Sequence, residues 1–194
     1  TLTGLAPNTN YDIYVQDSCS ASSVSLWAGP ATIQTLCGVV TAPFTESFDD
    51  TTWVPGAGAT NAGNLINSCW QRPNGNVPNF GPSAGPTASG GTGPAVDAGG
   101  AGQFIYTEFS GGPVTAFGEI TSPQVAIPAT FTNPQVKFAY HLFGAGIDSL
   151  TVEVVQGATA TQVFSLVGQQ QTANADAWLL ADADLSAYLG DTIQ

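Results

Sequence analysis

The chain contains very few basic residues. Among its 194 residues only Arg72 and Lys137 are basic, against 14 acidic residues, which gives a formal net charge of -12. A protein that binds nucleic acid needs a cluster of positive charge, so this composition argues against nucleic acid as a partner. It also argues against binding to an anionic membrane surface, which would repel an acidic protein.

Long apolar runs, helical periodicity and methionine are also missing. No apolar segment has the length of a membrane span, and no N-terminal segment has the features of a signal peptide, so we expect no membrane insertion. Because residue 1 lies inside a strand-like pattern, we expect the chain to be part of a longer protein. The three cysteines suggest an oxidising compartment and therefore a secreted, extracellular or cell-surface location.

Short alternating segments separated by turns predict an all-β fold, and the 23 glycines and 13 prolines suit such turns. Residues 54–102 are rich in Gly, Pro, Asn and Ser and predict long ordered loops. A helical turn is predicted at Asp184–Gly190. Strands are predicted at Tyr11–Asp17, Ala31–Leu36, Gln103–Phe109, Ala116–Ile120, Val125–Ile127, Gln135–Leu142, Ser149–Gln156, Ala160–Val167, Ala177–Asp182 and from Asp191 onward.

Residues able to carry catalysis are sparse. His141 is the only histidine, and its strand offers no nucleophile or orienting carboxylate, so we expect it to pack or to lie half exposed. No cysteine–histidine zinc motif or phosphate-binding loop is present. Glycoside hydrolysis stays open, because two of Glu46, Asp49, Glu108, Glu119 and Glu153 could form its carboxylate pair, although no motif favours it. We expect that the chain is not an enzyme.

The first part of the chain resembles a known family through a linked spacing of residues. The pattern comprises Leu5, Pro7, Thr9, Tyr11, Ile13 and Val15, followed by Trp27-Ala28-Gly29-Pro30 and a strand. Residues 1–37 are similar to the C-terminal strands of a fibronectin type III domain. The resemblance implies an Ig-like sandwich in which the Tyr11 hydroxyl bonds to nearby backbone. So few strands cannot bury a core of their own, so the remaining strands should come from elsewhere.

The rest of the chain resembles a second family. Residues 38–194 are similar to MAM-like jelly-roll domains, as found in secreted or surface repeat proteins of Bacteroidetes, and the match stops before the last strand or strands of the family. The matching residues occur in order as Phe48-Asp49, Ser68-Cys69-Trp70, Thr121-Ser122-Pro123, Phe138–Gly144, Leu150-Thr151-Val152, Trp178 and Asp184–Tyr188.

This second resemblance implies particular site residues. It implies a disulfide between Cys37 and Cys69, which leaves Cys19 free or paired with a cysteine outside the sequence. It also implies a structural Ca²⁺ held by Asp49 and Asp97, whose carboxylate oxygens are hard ligands. The family has His-Thr after the second aspartate, where this chain has Ala98-Gly99. The alternative is that both aspartates cap turns.

Two further groups of residues are candidates for interactions with sugars. Trp53, Trp70 and Phe80 lie in the loop-rich region and could form a glycan-binding platform, although aromatic residues that pin long loops to a core are the favoured interpretation. The Bacteroidetes resemblance also implies O-glycans where a Ser or Thr follows Asp and precedes a small or apolar residue. This pattern predicts glycosylation at Thr51, Ser149 and Thr192.

Together these features predict a non-enzymatic adhesion or structural module of a large repetitive cell-surface or filament-forming protein. Its expected partners are copies of itself or neighbouring domains in a fibre or stalk, with glycans as a further class of ligand. The alternative is a carbohydrate-binding accessory module of a secreted hydrolase or protease.

Overall fold

The computed structural model describes residues 2–20, 23–56, 63–73, 80–109 and 117–194. Within these residues the protein is all-β, as predicted, with thirteen strands, a single 3₁₀ turn at Ser186–Tyr188 and no α-helix. The chain divides into two compact units, Thr1–Gly38 and Val39–Gln194. The division lies beside the domain boundary that the two resemblances place after residue 37.

The first unit consists of two short antiparallel pairs. Strand β1 (Asn10–Val15) pairs with β4 (Ala28–Gln34). Between them, β2 (Ser18–Ser20) pairs with β3 (Ser23–Val24), neither of which was predicted. The Tyr11 hydroxyl accepts a hydrogen bond from the backbone N–H of Ala6 at 2.8 Å. This is the contact between tyrosine and backbone that the fibronectin type III resemblance implies.

Burial is incomplete throughout the first unit. Every described residue from 2 to 38 keeps at least part of its surface in contact with solvent. Large apolar side chains are among the most exposed: Leu26 is 93% exposed, Leu36 89% and Trp27 64%. Because two-stranded sheets need packing against another layer, this unit lacks a core of its own among the described residues.

In the second unit, one run of strands is held together by backbone hydrogen bonds. Strand β8 (Val125–Ala126) lies between β5 (Val40–Thr41), which is parallel to it, and β13 (Thr192–Ile193), which is antiparallel. Beyond β13, Gln194 exchanges two backbone hydrogen bonds with Val155. The remaining antiparallel pairs are β6 (Phe80–Ser83) with β7 (Phe104–Thr107), β9 (Gln135–Tyr140) with β12 (Leu179–Asp184), and β10 (Ser149–Gln156) with β11 (Thr159–Val167).

The core of the second unit lies where these strands meet. Its buried apolar residues are Ile127, Val154, Leu185 and Ile193. Partly buried residues from β8, β9 and β11, together with Ala42 after β5 and Tyr188 of the 3₁₀ turn, pack against them. A second cluster of aromatic rings joins β9 to β11, where Phe138 and Phe164 meet edge to face at 5.1 Å. The alternation seen in the sequence therefore places its apolar residues against other strands.

The structure departs from the predicted elements in the short strands. Ala116–Ile120 was predicted to be a strand, but its described part, residues 117–120, forms none, and only Thr121 makes an isolated bridge, with Gln71. Strands β5 and β6 were not predicted. The first has only two residues, and the second contains Gly81 and Pro82, which weaken any local strand pattern.

The disulfide follows the pairing that the MAM-like resemblance implies. Cys37 and Cys69 are bonded to each other, and Cys19 is a free, exposed thiol. A disulfide that closes a loop of about 30 residues stabilises a protein chiefly by restricting its unfolded state, by roughly 3 kcal/mol.

Replacing both Cys37 and Cys69 by Ser should therefore lower the free energy of unfolding by roughly 3 kcal/mol, because the unfolded chain regains its freedom. Urea unfolding followed by circular dichroism measures the change. Cys19→Ser is the matched control and should leave stability unchanged. A double variant as stable as the control would contradict the prediction.

Candidate functional site

Two aspartates that are distant in the sequence meet at one glycine. A Cβ atom placed on Gly102 would lie 2.7 Å from Oδ1 of Asp49 and 3.1 Å from Oδ2 of Asp97. Real Cβ atoms essentially never approach another atom to less than 3.0 Å, so residue 102 must be glycine for both carboxylates to occupy these positions. The structure thus brings together the two residues predicted as calcium ligands.

Backbone amides hold each carboxylate in place. Asp49 Oδ1 accepts a hydrogen bond from the N–H of Gln103 at 2.7 Å, although the two residues are 54 positions apart in the chain. Asp97 Oδ2 accepts a bond from the N–H of Gly99 at 3.0 Å, so this residue also caps a local turn. Asp97 therefore caps a turn through one of its oxygens, as the alternative interpretation expects. Asp49 instead bonds to a residue far away in the chain.

Further oxygen atoms at this glycine are unpaired. Oδ1 of Asp97 and Oε1 of Gln103 are buried and have no hydrogen-bond partner in the part of the chain that the structure describes. The amide nitrogen of Gln103 donates to the carbonyl of Trp53 at 3.4 Å. A buried acceptor without a partner is costly and usually contacts an ordered water or an ion. An oxygen-only set of this kind has the chemistry that a hard cation prefers.

Among the described residues, no group of three or more acidic, histidine or cysteine side chains is placed to hold a metal ion. A cation beside Gly102 would therefore need amide, carbonyl or water oxygens in addition to the two carboxylates. Calcium accepts such mixed oxygen sets, whereas zinc selects nitrogen and sulfur ligands. The donor set fits calcium.

An aromatic cluster supports the segment that carries Asp49. Phe48 has a positive φ of 65°, a conformation that is strained for a bulky residue. Its ring meets that of Trp53 edge to face at 4.9 Å, and the ring of Trp70 contacts both. The Glu46 carboxylate accepts bonds from the Phe48 N–H and the Trp70 indole. These contacts offset the strain and direct the next residue, Asp49, toward Gly102.

The burial of these aromatic residues bears on the predicted sugar platform. Trp53 is only 2% exposed, so its ring cannot stack on a glycan. Trp70 and Phe80 are partly buried, and Trp70 belongs to the same cluster as Trp53. The platform prediction is therefore wrong for Trp53, and its burial supports the alternative in which aromatic residues pin long loops to a core.

Three residues of this region did not stand out in the sequence. Gly102 ends a Gly-rich run, Gln103 begins a predicted strand, and Trp178 was noted only as part of the resemblance. No local pattern marks them, because each acts through residues that are far away in the chain. Only the glycine carried a usable signal, since glycine permits close approach of other groups.

The predicted glycosylation sites are accessible. Thr51, Ser149 and Thr192 are all exposed, and Ser149 and Thr192 begin strands β10 and β13. Exposure is a requirement for modification and does not demonstrate it. Glycosylation at these three residues stays a prediction.

His141 is half-buried, between the ring of Trp178 and the chain around Ala173 and Asp176. Neither ring nitrogen has a hydrogen-bond partner within the described residues, and the ring packs against Trp178 at 5.8 Å between centroids. Burial lowers the pKa of His141, and this effect outweighs the opposing attraction of the nearby Asp176 carboxylate. The imidazole is therefore neutral at neutral pH and acts as a packing group, as expected from the sequence.

Comparisons with known proteins add no identification. No protein-family model matches the chain, and no solved structure matches it significantly. Within the described ranges, no helix has the length and apolar character needed to cross a membrane. The disulfide indicates an oxidising environment.

Stability should decrease as the pH falls below about 6.5, the ordinary pKa of histidine. The unfolded chain takes up a proton at His141 there, while the folded protein resists protonation because its histidine pKa is lowered. Chemical denaturation between pH 7 and pH 5 measures this slope. The variant His141→Gln, which does not titrate, should flatten it.

Carboxylates affect a different range of pH. Hydrogen bonds lower the pKa of three aspartates, Asp50, Asp176 and Asp184. Their stabilising contribution is therefore lost only below about pH 4.

An equal dependence of stability on pH between pH 7 and pH 5 in the wild-type protein and in His141→Gln would contradict the assignment to the histidine.

Proposed function

We propose that this chain is a non-enzymatic extracellular adhesion or structural module of a large repetitive cell-surface or filament-forming protein. The observation that carries the proposal is the exposure of apolar side chains throughout the first unit. The bond from Ala6 to the Tyr11 hydroxyl supports the likeness to the end of a fibronectin type III domain. The all-β second unit and the Cys37–Cys69 disulfide are compatible with an extracellular β-sandwich such as a MAM-like jelly roll.

The first unit is suited to completion by other strands. Strands β1 and β4 pair only with each other among the described residues, so each has an edge with unpaired backbone groups. Such an edge, next to exposed residues such as Leu36, favours strand pairing with another polypeptide segment. Strands from a neighbouring domain or from a second copy of the chain would supply this cover and would link modules into a fibre or stalk.

Charge favours close contacts of this unit despite the acidity of the whole chain. Its acidic residues are Asp12 and Asp17, and Asp12 accepts a hydrogen bond from the Thr32 hydroxyl at 2.6 Å. Most other polar groups there are neutral Ser, Thr, Asn and Gln side chains. Repulsion between two such surfaces would therefore be small.

The purified chain should associate with itself in a concentration-dependent way, because association covers the apolar surface of the first unit. Sedimentation velocity measures this. Leu36→Asp should weaken association, whereas Leu180→Asp, which alters a similarly exposed leucine (84%) in the second unit, should not. A monomer at all concentrations, with cooperative protection of residues 2–38 from hydrogen exchange, would overturn the proposed dependence on partner strands.

A calcium ion beside Gly102 forms the second part of the proposal. The convergence of Asp49 and Asp97 and the unpaired buried oxygens of Asp97 and Gln103 support it. An ion there would tie the segment after β5 to the loop before β7, and so would rigidify a loop-rich region. Its role would be structural, as suits a module that transmits force or spaces its neighbours.

Calcium should raise the melting temperature of the protein, and EDTA should reverse the effect. At a concentration one hundred times its Kd, calcium would stabilise the folded state by about 2.7 kcal/mol. Asp97→Asn removes the charge but keeps an oxygen that can cap the turn, and should greatly reduce the calcium effect. Asp148→Asn, an exposed residue elsewhere, is the matched control. No calcium effect on the wild-type protein would rule out the ion.

Carbohydrate binding is a second candidate function, and an observation on the first unit favours it. Among the four tryptophans, Trp27 is the most exposed residue, at 64%, which makes it the best candidate for stacking on a sugar. Quenching of tryptophan fluorescence by soluble glycans, lost in Trp27→Phe, would support this function over a purely structural one.

A further inference from the structure

The segment that leads to Asp97 is docked by the loop between β11 and β12. The side-chain amide of Asn174 donates to the carbonyls of Thr92 and Gly93 at 3.1 and 3.3 Å. The backbone carbonyl of Asn174 accepts from the N–H of Ala95 at 3.0 Å. Three hydrogen bonds from one residue therefore replace the strand pairing that this segment lacks. Asn174 fixes the path of the chain just before the aspartate.

Trp178 contacts the two ends of the loop that forms the candidate site. Its indole N–H donates to the carbonyl of Val96 at 3.0 Å, directly before Asp97. Its ring meets Phe104 at 5.6 Å between centroids, directly after Gln103. Since Phe104 is a buried residue of β7, the indole is anchored on a rigid element while it holds Val96.

The opposite side of Trp178 is held as firmly. The ring of His141 packs against the indole. The buried side chain of Gln171 connects the chain just after His141 to the chain just before Trp178. Its Oε1 accepts from the Leu142 N–H at 2.7 Å, and its Nε2 donates to the carbonyl of Ala177 at 3.4 Å. The same Nε2 also donates to the carbonyl of Tyr140, the last residue of β9, at 3.3 Å, so Gln171 links β9 to the residue just before Trp178.

We propose that Trp178 is a positioning residue for the cation site. By holding Val96 and Phe104, it sets the separation between Asp97 and Gln103, the two residues with unpaired buried oxygens beside Gly102. The inference rests on the calcium site proposed above. Preorganised ligands bind an ion more tightly because less freedom is lost on binding. Loss of the single hydrogen bond to Val96 should weaken calcium binding roughly five- to tenfold.

The variant Trp178→Phe tests this role, because it removes the indole donor and keeps an aromatic ring against Phe104 and His141. Isothermal titration with calcium chloride measures the affinity, and Trp27→Phe serves as the matched control with unchanged affinity. Asn174→Ala, which loses the bonds to Thr92 and Gly93, is a second variant should Trp178→Phe fail to fold. It should weaken binding in the same direction.

Amide hydrogen exchange of the calcium-free protein provides a readout that does not depend on the ion. In Trp178→Phe, exchange should accelerate at Gly99 and Gln103, whose N–H groups bond to the site carboxylates. It should stay unchanged at Leu142, which is bonded to Gln171 on the other side of the ring. General destabilisation would accelerate all three and would overturn the positioning role.

The outcomes separate the two proposals. Calcium binding that is weaker in Trp178→Phe, with faster exchange at Gly99 and Gln103, supports both. Equal affinity and equal exchange in the wild-type protein and the variant overturn the positioning role and leave the calcium site intact. If the wild-type protein binds no calcium, selective acceleration at these two amides still supports the role of Trp178 in shaping the loop, and its absence overturns that role as well.

Discussion

The close approach of Asp49, Asp97 and the backbone at Gly102 is the constraint on which the second unit depends. Both carboxylates carry negative charge, so their approach to one place needs donors nearby. Amide donors from Gln103 and Gly99 compensate part of that charge. The buried Oδ1 of Asp97 has no hydrogen-bond partner among the described residues. The strained Phe48 and the aromatic cluster beneath it serve this same arrangement.

Around this point the chain is organised by bonds from side chains to backbone more than by strand ladders. Loops rich in glycine and proline cannot supply continuous strand pairing, so their buried polar groups need other partners. Asn174, Gln171 and Trp178 provide such partners for segments that are distant in the sequence. The consequence is a region whose rigidity depends on a few side chains, and in which one residue such as Trp178 can influence a site that it does not touch.

The two units satisfy the need for burial differently. In the second, residues such as Val154 and Ile193 from separate strands enclose one another. In the first, the paired strands β1 and β4 keep all their described side chains at least partly exposed. The exposed apolar side chains of the first unit are the feature on which the proposal of an assembling module depends. Its nearly uncharged polar surface allows such contacts even though the chain as a whole is acidic.

The sequence by itself determined the fold class and the long strands, because alternation of apolar and polar residues is a local pattern. The predicted Ser149–Gln156 coincides with β10, and the Tyr11 contact followed from a recognisable spacing. The tertiary structure alone decided that Gly102 and Gln103 join the two aspartates and that Trp53 is buried. It also decided that β5 and β6 exist as strands. Those features depend on contacts between residues far apart in the chain, such as Asp49 and Gln103, and no local pattern records such contacts.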